Sequence, residues 1–271
     1  MAASNIEVPR VLPVEHLSHS SISTYLQCPE KWRRRYVEGE RTPATPNMLI
    51  GSAVGAVEGY GFQKQIDEGR QLKLADIDDL YDLEWNYRET HDDVDWGTEP
   101  KIKGESKDAG ARALRAYHTT LAPEVEPVAV ERRFDLTLAD AEWTVRGYID
   151  VEDTKSRVID LKVRGKRLSQ ADADHDLQAT LYTAARRAEG QPAARFDFHV
   201  TTRTKSPTSE VVTTRRTGRQ LDQSLRTVAA VARDIEYRME SGNWTGAPPL
   251  AWWCSATQCG FWDTCPYGGK R

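Results

Sequence analysis

The chain has 271 residues, 39% hydrophobic and 29% charged, which fits a soluble globular protein of one large domain or two small ones. No apolar run approaches the ~20 residues of a membrane helix, and "MAASNIEVPR" lacks the apolar core of a secretory signal, so a cytoplasmic location without a membrane partner is expected. The net charge of −4 argues only weakly against nucleic acid, because residues 67–99 hold 12 acids against 3 Lys/Arg and leave the rest of the chain basic, with clusters over 31–35, 162–167 and 215–219.

In chain order, residues 1–16, with Pro9 and Pro13, read as an extended arm. The serine cluster of "LSHSSISTYLQCPEKWRRRYVEG" caps a helix carrying Ile22, Tyr25 and Leu26; Pro29 opens a second one that Gly39 ends. "MLIGSAVGAVEGYGFQKQI" is a helix whose small residues Gly51, Ala53, Gly55 and Ala56 imply a close neighbour. Residues 67–99 read as short helices and loops in an acidic lobe, and "ESKDAGARALRAYHTTLAP" as a helix ending near Pro123.

Strands follow. "PVAVERRFDLTL" places Val128, Val130, Arg132 and Phe134 on one parity. "EWTVRGYIDVE" and "RVIDLKV" continue an antiparallel meander through a turn over 153–156. A helix over 172–189, strands in "RFDFHVTTRT" and "SEVVTTRR", and a long helix over 218–241 complete the chain. The fold class is therefore α/β, a central mixed sheet flanked by helices.

Alternation puts Ile159, Leu161 and Val163 on one face of their strand and Asp160 and Lys162 on the other. Asp150 ends the preceding apolar run, and pairing through the turn brings it to Asp160. Two carboxylates that close repel and raise each other's pKa. A divalent cation removes the conflict, and Lys162 beside it can orient water or stabilise charge developing on a phosphate. That is the chemistry of metal-assisted phosphodiester hydrolysis; the alternative is a half-exposed strand with a Lys–Asp surface pair. Gln178 and Tyr182, four apart, share a helix face, where Gln178 can bond a phosphate or a metal-bound water and Tyr182 can stack on DNA.

Four cysteines are unevenly placed: Cys28 stands alone, while Cys254, Cys259 and Cys265 form C-x4-C-x5-C. Four thiols suit tetrahedral zinc or an iron–sulfur cluster, and the alternative is four unrelated buried cysteines.

The order G-x-x-D (Gly147–Asp150), D-x-K (Asp160–Lys162) and Q-x-x-x-Y (Gln178–Tyr182) resembles the PD-(D/E)xK nuclease superfamily in its RecB-like branch, which includes the CRISPR-associated RecB-like exonucleases. "LSHSSISTYLQCPEKWRRRY" is similar to the S-x-S-x-x-x-x-Y-x-x-C-P segment of that branch, and the likeness runs over residues 17–267. It implies a restriction-endonuclease-like core within a single nuclease domain over 1–271: N-terminal helices with the first cysteine over 17–60, a helical acidic lobe over 67–122, the catalytic sheet over 125–215, and the C-terminal helix with its cysteines over 218–271.

The resemblance makes Asp150 and Asp160 ligands of Mg²⁺ or Mn²⁺, Lys162 the catalytic lysine, and Gln178 and Tyr182 the branch's additional motif. Glu131 falls where the family carries a glutamate near the site. Where the family places a metal-binding His, this chain has Gly55; Glu58, about one turn on, or Glu131 is then expected to complete the ligand shell, or the metal binds more weakly. Cys28, Cys254, Cys259 and Cys265 match a [4Fe–4S] site, with structural Zn²⁺ as the alternative and an x4 gap where the branch has x2. The implied activity is a metal-dependent DNA exonuclease in recombination, repair or replication, acting on DNA that is single-stranded or has free ends. The alternative is a weak or inactive nuclease-like DNA-binding module working with recombination or CRISPR-adaptation partners. No Walker A loop is present, so ATP-driven unwinding would require a helicase partner.

Overall fold

The computed structural model describes residues 14–138, 143–193 and 195–269. Most of the expected N-terminal arm lies outside these residues. The fold is α/β, as the sequence pattern predicts: a five-stranded mixed sheet in the order β1-β2-β3-β4-β5, flanked by helices. The strands are β1 (Pro127–Thr137), β2 (Thr144–Asp153), β3 (Arg157–Arg164), β4 (Arg195–Thr202) and β5 (Ser209–Thr214). β2 and β3 are antiparallel, β3 and β4 parallel, and β4 and β5 antiparallel. The parallel step requires a crossover, which α6 (Gln170–His175) and α7 (Leu177–Ala188) supply. No helix among the described residues is long and apolar enough to cross a membrane.

The chain gathers into two compact units. One unit, Thr42–Leu136 with Arg146–Leu225, holds most of the sheet, α3 (Pro46–Glu68), α4 (Leu74–His91) and α5 (Ile102–Thr120). Thr45 caps α3 by accepting from the Met48 N–H, and Gly69, at φ 70°, ends it. Ile50, Val54 and Val57 of α3 bury against Ile77, Tyr81 and Trp85 of α4 and Leu114 of α5. Phe62 and Tyr117 carry this core onto Val151 and Ile159 of the sheet. Each large apolar side chain buried in this way contributes roughly 1.5–3 kcal/mol.

The other unit comprises Met1–Arg41, Thr137–Val145 and Arg226–Arg271. Ser18 and Ser21 form a reciprocal capping box at the start of α1 (His19–Gln27). Trp32 of α2 (Pro29–Trp32) stacks on Trp244 at 5.9 Å, and the Glu30 N–H donates to the Thr245 carbonyl. Tyr25 Oη donates to Asp234 Oδ2 at 2.5 Å on α8 (Gly218–Ser241), and Arg238 Nε reaches both partners. The first helices are thus tied to the end of the chain by aromatic stacking and hydrogen bonds.

Three expectations need correction. Residues 172–189 form two helices, because Asp176 takes extended angles (φ −68°, ψ 127°) and its carboxylate caps α7 by accepting from the Ala179 N–H. The stretch 67–99 holds one 18-residue helix, α4, rather than short pieces; burial of Ile77, Tyr81 and Trp85 outweighs its dense negative charge. In β1 the shared parity breaks at Glu131, which adopts a left-handed φ of 47°. Val130 packs on the cluster of Phe62 and Tyr117, whereas Phe134 lies against Tyr182 of α7. One residue of bulged backbone turns the strand's side chains over to the opposite face.

Candidate active site

The β2–β3 hairpin is closed by Asp153. Its Oδ1 accepts the Lys155 and Arg157 N–H groups (3.0 and 2.9 Å), and its Oδ2 accepts from Arg157 Nε at 2.6 Å. Beyond the register pairs Glu152↔Val158 and Val151↔Ile159, the Leu161 N–H donates instead to the side chain of Asp150, at 2.9 Å on Oδ2. Asp150 and Asp160 stand at this fork. Val151 and Ile159, both fully buried beside them, hold the backbone in place.

Asp160 is 1% exposed and anchors a closed polar triangle. Lys162 Nζ lies 3.0 Å from Asp160 Oδ1 and 2.8 Å from Oδ2, and donates to Gln178 Oε1 at 2.9 Å. Gln178 Nε2 donates to Asp160 Oδ1 at 2.6 Å. Burial pushes the Asp160 carboxyl above its ordinary range, against the pull of Lys162. Burial alone would lower the Lys162 pKa, but the Asp160 charge overrides it and holds the ammonium above its usual value. Burial first, then the charge of Asp160, raises Asp150 to about 8.

Tyr182 is placed differently from the expected DNA-stacking role. Its ring is buried edge-on against Phe134 at 5.1 Å. Both rings cover Gly147, where a Cβ would come 2.6 Å from Phe134 Cζ and 3.1 Å from Tyr182 Cε1. The glycine of G-x-x-D is therefore required by packing. Glu131, delivered by the β1 bulge, faces the same site: burial and the Asp160 charge raise its pKa.

The opposite wall is α3. A cleft of about 380 Å³ is lined by Gly51, Gly55 and Gly59 of α3, Arg88 of α4, Glu131 and Asp150. A Cβ built on Gly55 would meet nothing within 4 Å, so an imidazole has room there. Glu58 does not take its place. It points away from the cleft into a buried pair with His118 of α5 (Oε1 to Nδ1, 3.4 Å), whose Nε2 lies 3.0 Å from the Leu72 carbonyl oxygen. Helix period alone would leave Glu58 near the glycine face; the buried contact with His118 is what takes it out of the cleft.

Arg88 is the residue that sequence reasoning missed. It is one of three cations in the acidic stretch 67–99, and only the fold brings it to the carboxylates. Its Nε donates to Glu84 at 2.5 Å, and its Nη1 forms a longer ion pair with Asp92 at 3.7 Å.

No three His, Cys, Asp or Glu side chains converge as a metal-holding group among the described residues. The pair Asp150–Asp160 nonetheless fits a hard divalent cation. Both are oxygen donors, and each carboxyl is raised by burial. At the cysteines, Cys28 Sγ caps α2 by accepting from the Lys31 N–H at 3.4 Å. Its thiol is pushed up by burial, and Cys265 and Cys254 are near enough for their charges to add to the effect. Cys259 is half-buried and is absent from that set; no disulfide forms among the described residues. The cysteines do not converge as a metal-holding group among the described residues. A larger groove of about 950 Å³ in the same unit is lined without any charged side chain, so it offers no hydrolytic chemistry.

The profile of the PD-(D/E)XK nuclease superfamily matches residues 16–266. A search of curated proteins returns no match. Among solved structures, the chain superposes on "Putative exonuclease" from Eubacterium rectale with a TM-score of 0.59 at 14% identity, covering 94% of this chain and 92% of that one. A second structure, named SSO0001, gives 15% identity over 84% of this chain and 87% of its own, with a TM-score of 0.36, too low to bear on the fold. With a profile match across nearly its whole length, the chain belongs to the PD-(D/E)XK nuclease superfamily.

Proposed function

We propose that this protein is a divalent-metal-dependent deoxyribonuclease of the RecB-like branch, acting as an exonuclease on DNA that is single-stranded or has free ends. Membership of the superfamily implies a nucleic-acid substrate and a divalent metal. The observation that carries the proposal is Asp150 at the cleft with Asp160 and Lys162 near enough for their charges to act on it, and Lys162 fixed by Asp160 and Gln178.

Asp150 and Asp160 would hold Mg²⁺ or Mn²⁺, with Glu131 at the cleft edge. When bound, the cation supplies Lewis acidity and lowers the pKa of water. Gln178 and Asp160 hold the Lys162 ammonium in place, so it is positioned without the entropy cost of ordering a free lysine. Lys162 can then orient the attacking water and stabilise the charge on the phosphate. Purified protein with Mg²⁺ or Mn²⁺ is expected to degrade DNA, and Asp160→Asn to abolish this. Equal cleavage by the two proteins would remove the site assignment. Linear single-stranded, blunt and circular substrates separate exonuclease from endonuclease action.

A second reading is a nuclease-like DNA-binding module with little turnover, working with recombination or CRISPR-adaptation partners. Gly55 favours it, since the superfamily's His is replaced and Glu58 is engaged elsewhere. Binding without cleavage in either metal would decide for it.

The two units are proposed to serve one nuclease domain in the cytoplasm. The cysteines are proposed to hold a [4Fe–4S] cluster, Cys259 joining Cys28, Cys254 and Cys265, with structural Zn²⁺ as the alternative. Such a clip would restrain a long stretch of chain. Brown, anaerobically purified protein absorbing near ~400 nm supports the cluster; colourless protein with stoichiometric zinc supports the alternative.

A further inference from the structure

The basic run over 162–167, only one member of which is used by the proposed chemistry, has a definite place in the fold. β3 and α3 lie side by side in opposite directions. Leu161 lines the cleft with Gly55. Val163, two residues further along β3, packs on the cluster that includes Ile50 and Ala53. Two residues further still, the guanidinium of Arg203 lies over Gly165, and its Nε donates to Asn47 Oδ1 at 2.9 Å. From Gly55 to Asn47 is about 12 Å along the helix. The ends of β3 and β4 therefore meet the first turn of α3 at one end of the cleft.

Four cations gather there: Arg164 at the end of β3 and Lys166 after it, Arg203 and Lys205 after β4. Among the described residues none of the four makes an ion pair, and three of them are exposed. Their neighbour Arg167 is different, being paired with Glu210. Most surface arginines in this unit are matched in the same way, as Arg115 with Asp78 and Arg187 with Asp222. Arg203 is also positioned: a Cβ at Gly165 would come 2.7 Å from its Nη1, so the glycine leaves the space in which the guanidinium sits. Unmatched, partly preorganised cations beside a phosphodiester-cleaving cleft are suited to phosphate oxygens, which a guanidinium can bind through two parallel hydrogen bonds.

We propose that Arg164, Lys166, Arg203 and Lys205 form a phosphate-binding rim that guides a single DNA strand between the carboxylate cleft and solvent, across the first turn of α3. This rests on the nuclease function proposed above. It goes further in naming the surface and the direction in which the strand leaves the site.

The test is binding of a fluorescein-labelled single-stranded oligonucleotide to the full chain in EDTA, followed by anisotropy over a salt series. The variant carries Arg164→Gln, Lys166→Gln, Arg203→Gln and Lys205→Gln. Each contact to a phosphate on a single strand adds about 0.7 to the slope of log affinity against log salt. The quadruple variant is expected to lose roughly 2–3 of that slope and at least ~10-fold in affinity at low salt. A control removes equal charge at paired sites (Lys64→Gln, Arg115→Gln, Arg167→Gln, Arg187→Gln) and is expected to keep most of both. Gly165→Ala, which removes no charge but displaces Arg203, is expected to cost about one contact, ~0.7 in slope.

A quadruple variant with the wild-type slope, or a control that loses as much, overturns the rim and leaves the cleavage assignment intact. Wild-type protein that neither binds nor cleaves DNA removes the function, and the rim with it. Thermal unfolding of each variant separates misfolding from lost contacts.

Discussion

The two sides of the candidate site, that of α7 behind the carboxylates and that of α3 across the cleft, are built on opposite plans. The α7 wall is saturated: Asp160, Lys162 and Gln178 satisfy one another at 2.6–3.0 Å, and Tyr182 and Phe134 close over Gly147 behind them. The α3 wall is open: glycines line it, a Cβ at Gly55 meets nothing, and Arg88 of α4 reaches the cleft beside them with only half-exposed ion pairs to hold it. A hydrolytic site needs both. Groups that do chemistry must be held rigidly before substrate arrives, whereas groups that receive a phosphate backbone must keep donors and space in reserve. Substitutions in the first wall should therefore cost catalysis and stability together, and those in the second should shift binding with little effect on the fold.

The largest effect is expected at Lys162. Lys162→Met removes the cation nearest the carboxylates and should lower kcat by about 10²–10³-fold. In metal-free protein it also leaves Asp160 buried without its partner, at a cost of roughly 1–3 kcal/mol. Single-turnover cleavage and chemical denaturation in EDTA measure the two losses. An undiminished kcat would break the contrast between the walls at its strongest point.

Arg88 tests the open wall. Arg88→Ala should raise KM about tenfold while kcat changes little and Tm stays within about 2 °C, since the ion pair lost to Glu84 is half-exposed and worth under ~1 kcal/mol. A fall in kcat with KM unchanged would move Arg88 to the chemical step. Gly55→His should have a smaller effect of opposite sign. The space is open, and His is a better helix former than Gly by a few tenths of a kcal/mol. The added imidazole faces Asp150 and Glu131 across the cleft. The Mn²⁺ concentration for half-maximal cleavage is expected to fall severalfold; no change would mean that the glycine face stands too far from the metal.

The saturated wall was legible in the sequence because its residues break a pattern. An acid and a lysine in Val158–Val163, and a Gln four residues before a Tyr, are polar where burial predicts apolar. The hairpin, the mixed sheet and the long last helix followed from alternation and period in the same way. The open wall was not legible, because absence of side chain leaves no mark: Gly51, Gly55 and Gly59 read equally well as helix packing. Arg88 was hidden by the acids around it. Glu58 was misplaced because its partner, His118, lies sixty residues away in the chain and draws it out of the cleft. Glu131 reaches the site through a bulge that alternation cannot foresee. The link between the first helices and the tail, made by Trp32, Tyr25 and Thr245, had no mark in the sequence beyond the pairing of distant cysteines.

The smallest effect concerns the pair behind the open wall. Burial would lower the His118 pKa, but Glu58 outweighs it, with lesser help from the Leu72 carbonyl and Asp78, so the folded value lies above the ordinary one. Glu58 is likewise raised, by its own burial. A folded pKa above the unfolded one stabilises below the unfolded value, about 6.5 for His, and that stability is lost as pH rises through the folded value. In Glu58→Gln the carboxylate is gone and burial dominates His118, so its contribution reverses: present above about 6.5 and lost as pH falls. Wild type should therefore lose Tm relative to Glu58→Gln as pH rises through and above about 6.5, by on the order of 2 °C. Other titrating groups, such as His199, held down at about 4 by burial, are common to both proteins and cancel in the difference. Parallel Tm curves would mean that Glu58 does not control His118. Equal cleavage rates at saturating metal would confirm that the pair serves packing behind the cleft, and reduced cleavage would return Glu58 to the site.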